Sequence, residues 1–187
     1  LDPYHLIQVI SGNWFPCPRA KFRIRYYNRD VSLIRLEKKI KRDGLCLKVS
    51  ETMKEEEVRA LLRGDMNWMT LWPKERPLTL ELYAGMRGGG LRPKTIVDYE
   101  REPYIYEAGN VRITFDMKIS ASYELENFLD GDYQSYYILP SGLNVLEVKF
   151  DEILPSYIRN IVESYGFKQT SFSKYYYGRK IIDSYMR

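Results

Sequence analysis

The feature that most limits what this chain can become is a two-residue alternation, repeated in several short segments, with charge on one side and apolar residues on the other. In a β-strand successive side chains point to opposite faces. Residues 144–151, NVLEVKFD, therefore place Leu146, Val148 and Phe150 on one face and Glu147, Lys149 and Asp151 on the other. A single strand of this kind is usually half-buried, with its charges in water. The pattern recurs in four other segments with more positive charge. That recurrence predicts a closed or strongly curved sheet whose inner face is charged.

Residues 21–28, KFRIRYYN, set Phe22, Ile24 and Tyr26 against Arg23, Arg25 and Tyr27. Asn28-Arg29-Asp30 reads as a turn into a strand over 32–41, where Leu36, Lys38 and Ile40 oppose Arg35, Glu37, Lys39 and Lys41. Arg42-Asp43-Gly44 has hairpin chemistry, and 45–49 returns, so three successive antiparallel strands are expected. Residues 94–106 and 111–116 are the remaining strands. The first has Val97, Tyr99 and Arg101 opposite Asp98 and Glu100, with Pro103 marking a bulge or strand end; the second has Arg112, Thr114 and Asp116 on one face. Residues 1–20 show no clean periodicity, and only 6–10 could form a short strand.

Four helices are expected. Thr52-Met53-Lys54-Glu55 reads as a capping box ahead of a helix whose stripe is Val58, Leu61 and Leu62, ended by Gly64. A second helix covers 77–86. The triple glycine that follows reads as a connector, because it lacks the Gly-Lys-Ser/Thr of a phosphate loop and a helix after it. Pro155 and Gly166 bracket a third, and 172–186 is the last, with Lys174 near its start. Residues 123–129 suggest a further short helix.

Composition narrows the chemistry. A length of 187 residues suits a single domain with one substantial core, 1–20 irregular and 21–187 its body. Lys+Arg 29 against Asp+Glu 25 is no polycation, so the placement of charge matters more than its sum. No apolar run approaches the roughly 18 residues that span a bilayer, and no signal peptide is visible. Cys17 and Cys46 make neither a disulfide framework nor a zinc motif, so a reducing, cytoplasmic setting is the default. The lone histidine, His5, excludes a multi-histidine metal site and a histidine-dependent triad. Chemistry must then run on carboxylates, lysine, arginine and tyrosine.

Collected by parity, one face carries Arg23, Arg25, Arg35, Lys39, Lys41, Arg101, Arg112 and Lys149, together with Glu37 and Glu147. The plain alternative is a solvated sheet face laced with cross-strand ion pairs. Arginine in successive strands argues for more, because its rigid fork suits bidentate phosphate recognition. Cations around one or two carboxylates suit a polyanion with a divalent metal, the arrangement that phosphoryl transfer needs.

The segments FRIRYYN, RLEKKIKRDGLCLKVS, LRPKTIVDYEREPY, GNVRITFD, LEVKFDEILPSYI and SFSKY, in this order, resemble the VTC domain. That is the polyphosphate polymerase branch of the triphosphate tunnel metalloenzymes, related to the CYTH phosphohydrolases. The resemblance runs from about residue 21 to 180. It implies an α+β fold, an antiparallel β-barrel tunnel open at both ends with helices outside. It also implies a polymerase that passes the γ-phosphate of ATP to a growing polyphosphate chain and releases ADP, without a phosphoenzyme. By resemblance Arg23, Arg25, Lys39, Arg101, Arg112, Lys149 and Lys174 bind phosphates, and Lys48 matches a further basic position. Of these Arg25, Lys39, Arg112 and Lys149 are the catalytic set. Glu147, with Glu37 as a second candidate, is the ligand for Mn²⁺ or Mg²⁺. The implied partners are ATP and polyphosphate, with a homo-oligomer possible and no nucleic acid or transmembrane segment expected. The family's first tunnel strands are not found in residues 1–20, so the N-terminal strands are expected to be missing from this chain.

Two other readings stay open. A tunnel hydrolase of triphosphate or short polyphosphate would differ only in using water as the attacking group. A non-catalytic binder of polyphosphate or single-stranded nucleic acid could use basic strands with interleaved tyrosines, as in RIRYYN and SKYYYGRK, although the tyrosines of RIRYYN split between both faces.

Overall fold

The structure is a computed structural model that describes residues 2–10, 20–42, 45–151, 153–167 and 169–186, with side chains described for 20–40, 47–151, 153–167 and 169–186. Cys17 and the turn residues Asp43 and Gly44 lie outside the described residues, as do the side chains of His5, Lys41 and Cys46.

An eight-stranded antiparallel sheet forms the body of the chain. Its strands are β1 (Asp2–Ile10), β2 (Ala20–Tyr27), β3 (Asp30–Arg42), β4 (Leu45–Met53), β5 (Arg92–Tyr106), β6 (Val111–Ser122), β7 (Tyr136–Tyr137) and β8 (Val145–Lys149). Their order is β4-β3-β2-β1-β5-β6-β7, with β8 paired to another stretch of β6. The β2–β3–β4 meander follows the expected alternation. Its first turn places Asn28 and Arg29 at φ 53° and 56°, the two consecutive left-handed residues that a tight hairpin of matching twist requires.

Three expectations are corrected. Residues 2–10 are not missing as a strand: β1 pairs with β2 on one side and β5 on the other, at the centre of the sheet. The sheet does not close into a barrel among the described residues; β4 forms one edge, while β7 and β8 are two and five residues long and both pair with β6. Pro103 interrupts nothing, since β5 runs on to Tyr106. The register shift lies between Asp98 and Glu100, opposite a stretch of β6 where Lys118 takes φ 50°.

The helices cover both faces. On one, Phe22, Ile24, Tyr26, Ile34 and Leu36 pack under α1 (Glu55–Leu62) and α2 (Pro77–Gly88) through Val58, Leu61, Leu78 and Leu82. The start of α1 is set by Glu57, whose carboxylate accepts from the Lys54 amide at 2.9 Å, so the capping arrangement lies two residues beyond the expected one and β4 extends to Met53. Residues 125–127 form only a 3₁₀ turn. α3 (Ser156–Ser164) starts after Pro155 and carries one buried residue, Ile158. α4 (Lys174–Tyr185) lies against the other face of the sheet, over Val97, Tyr99, Ile119 and Ala121. It approaches closely at Gly178, where a Cβ would stand 3.0 Å from that of Ala121 and 3.4 Å from Ile138 Cδ1. No helix among the described residues is long and apolar enough to cross a membrane.

Candidate functional site: one face of the sheet

The face that α4 leaves partly uncovered is the cation-bearing one. Antiparallel register fixes its membership: Arg23 stands opposite Glu37 and Arg25 opposite Arg35 across β2–β3, and Lys39 opposite Lys48 across β3–β4. On the far side Arg101 stands opposite Asp116 across β5–β6, while Arg112 faces Lys149 and Thr114 faces Glu147 across β6–β8. β1 joins the halves, with Leu6 opposite both Arg25 and Val97.

Two buried carboxylates hold some of these cations in place. Glu37, 1% exposed, accepts from Arg23 Nε at 2.6 Å and lies 2.5 Å from Arg23 Nη2, 2.7 Å from Arg25 Nη2 and 2.8 Å from Lys48 Nζ. Burial pushes its pKa up, but the Lys48 hydrogen bond and the Arg23 and Arg25 charges outweigh burial and hold the carboxyl below the usual range. Asp116, 0% exposed, accepts from Arg101 Nε at 2.5 Å and Nη2 at 2.8 Å in a bidentate pair, and Lys174 Nζ lies 2.5 Å from its second oxygen. Here too burial pushes up, and the Arg101 hydrogen bond and Lys174 charge prevail to lower the pKa. Rings pave the gaps: Tyr27 lies under Arg25 at 5.0 Å, and Tyr99 under Arg101 and Lys174 at 5.2 and 4.8 Å.

The structure thus brings Arg23, Arg25 and Lys48 together around Glu37, and Arg101 and Lys174 around Asp116. Lys149 is 60% exposed and lies 3.1 Å from Glu147; Arg112 is exposed beside it. Arg35, Lys39 and Arg112 have no ion-pair partner among the described residues, which leaves them available to a bound anion. Lys38, by parity on the opposite face, is buried there over the Phe22 ring and pairs with Glu81.

Asp116 is the site residue that sequence reasoning placed on the correct face without a role. Its signal, an acid among basic positions of the same parity, was present, but its importance comes from Lys174, 58 positions away in the chain. The plain alternative of a sheet face laced with cross-strand ion pairs describes part of this face, since Glu37 and Asp116 do make such pairs. Those pairs use up the carboxylates and leave the cations in excess.

A divalent ion finds different reception at the carboxylates. Glu37 and Asp116 are enclosed and already engaged by cations. Glu147 is 39% exposed, with Lys149 at 3.1 Å and Arg101 at 3.8 Å. Among the described residues no three metal-type side chains cluster. The donor set fits an ion of the Mg²⁺ class held by one carboxylate, phosphate oxygens and water, rather than a cage made by protein alone.

A family model for the VTC domain matches residues 16–182. Among solved structures, a Bacillus halodurans protein described as a candidate adenylate cyclase is similar, with a TM-score of 0.52 and 12% identity, over 92% of this chain and 79% of its own. A likeness at that identity speaks for the fold alone. No curated protein sequence matches the chain.

Proposed function

Because the chain belongs to the VTC domain family, we propose that it is a polyphosphate polymerase, transferring the γ-phosphate of ATP to the end of a polyphosphate chain laid along the cation-bearing face. The observation that carries this reading is the excess of cations on one face after Glu37 and Asp116 have been ion-paired.

Arg23, Lys48, Arg101 and Lys174, oriented by the two buried carboxylates, hold the chain and the nucleotide phosphates. Arg25 and Lys39 add phosphate contacts on the β2–β3 half of the face, and Arg112 and Lys149, opposed across β6–β8, add them on the other half; whichever of them meets the reacting phosphoryl group takes up the charge that spreads over its oxygens. A terminal oxygen of the polyphosphate attacks the γ-phosphorus. The bond to the β,γ-bridging oxygen breaks, and ADP leaves with that electron pair. No side chain becomes phosphorylated, so the protein's share is alignment and preorganised charge. A Mn²⁺ or Mg²⁺ ion held by Glu147 would neutralise phosphate oxygens there.

Hydrolysis would use water in place of the phosphate chain as the attacking group, and a carboxylate or lysine placed to activate that water would favour it. Among the described side chains of this face Glu37 and Asp116 are already engaged by cations, and the preference for a phosphate as the attacking group rests on the chain's family. Incubation with ATP and Mn²⁺ tests the reading. Long polyphosphate with ADP supports it; free phosphate alone means a tunnel-type hydrolase, and binding without turnover means a polyanion-binding module.

A further inference from the structure

We propose that Thr114 positions Glu147: its hydroxyl donates to the Glu147 carboxylate when the cations around that carboxylate turn to a bound phosphate chain. This rests on the phosphate-binding reading above.

Thr114 is 3% exposed, and its Oγ1 has no hydrogen-bond partner. Buried hydroxyls without a partner are uncommon, because they give up water's hydrogen bonds and receive none in return. Strand geometry alone does not require one here: valine has the same shape, favours strands as strongly and carries no polar atom. The cross-strand neighbours narrow what the hydroxyl can serve. Thr114 faces Pro103 on β5 and Glu147 on β8. Pro103 offers no side-chain acceptor. Glu147 offers a carboxylate on the same face, and directly opposed residues stand about 4.5–5.5 Å apart at Cβ, within reach of a hydroxyl–carboxylate hydrogen bond after a rotamer change.

Glu147 at present leans on Lys149 at 3.1 Å and Arg101 at 3.8 Å. Lys149 is mostly in solvent and carries no other ion pair among the described residues, so an arriving phosphate competes for it directly. Glu147 then loses a donor when its orientation matters most. Thr114, held in a narrow set of rotamers by its branched Cβ, supplies the replacement and leaves the other carboxylate oxygen for a divalent ion.

The test uses the full chain with Thr114→Val and Thr114→Ser. Thermal melting is measured without ligand, and Mn²⁺ binding is followed by calorimetry and by the Mn²⁺ electron-spin signal, in the presence of tripolyphosphate. Thr114→Val is expected to melt no lower than wild type and to bind Mn²⁺ about tenfold more weakly, while Thr114→Ser keeps wild-type affinity. Unchanged Mn²⁺ affinity in Thr114→Val overturns the inference and leaves Thr114 a packing residue. Equal weakening in both variants overturns it as well, because the methyl rather than the hydroxyl would then be at work. If wild type itself fails to bind Mn²⁺ with tripolyphosphate, the phosphate-binding reading falls first and this inference with it.

Discussion

Lys174, the first residue of α4, sets its ammonium 2.5 Å from the buried Asp116 Oδ2 on β6, so an ion pair ties the last helix of the chain to the cation-bearing face of the sheet. Arg101 from β5 grips the same carboxylate, and Tyr99 lies beneath both cations. Two consecutive strands and a helix remote from them in sequence thus meet at one enclosed negative charge.

Replacing that charge should be costly. Asp116→Asn leaves Arg101 and Lys174 facing a neutral amide in a partly buried site, and the expected loss of stability is about 3 kcal/mol. A urea transition monitored by tyrosine fluorescence would measure it. Binding of tripolyphosphate should weaken in the same variant, because two cations lose their orientation.

Glu147→Gln separates function from folding. The residue is 39% exposed and paired with side chains that also reach solvent, so stability should change by no more than about 0.5 kcal/mol. Mn²⁺-dependent turnover of ATP should disappear. A variant that turns over ATP normally with Mn²⁺ would refute Glu147 as the metal ligand.

Arg112 and Lys38 make a matched pair of opposite faces. Arg112→Ala removes an exposed guanidinium that has no ion-pair partner among the described residues, so tripolyphosphate affinity should fall about tenfold, roughly 1.4 kcal/mol, with little change in melting. Lys38→Ala should leave binding alone but lower stability by about 1 kcal/mol, since it uncovers Phe22 and strips Glu81 of its partner. Calorimetric titration and melting of both variants would check the contrast.

Acid should unfold the chain through Glu37 and Asp116. Both have folded pKa values below the ordinary carboxylate range, so the unfolded chain takes up protons first as pH falls. Their contribution is complete above that range and is lost as pH drops through the folded values. Stability is therefore expected to hold down to about pH 5 and then to decline steeply, and the decline should be shallower in Asp116→Asn. Denaturant midpoints measured from pH 7 to pH 2 would show it.

Local rules determined a large part of this protein. Alternation within β2, β3, β6 and β8 assigned Arg23, Arg25, Glu37, Arg112, Glu147 and Lys149 to one face, because side-chain parity is a property of each strand by itself. Pro77, Pro155 and Gly166 marked helix boundaries for the same reason. β1 was legible only in its second half, as a short strand over 6–10: DPYHLIQVI lacks clean alternation, and a central strand takes its stability from backbone pairing on both edges, which side-chain pattern does not record. Only the tertiary structure decided that the sheet stays open among the described residues, that Asp116 rather than solvent holds Lys174, and that Thr114 faces Glu147. Each depends on register and packing between segments far apart in the chain, and those are settled by which contacts can form together in three dimensions.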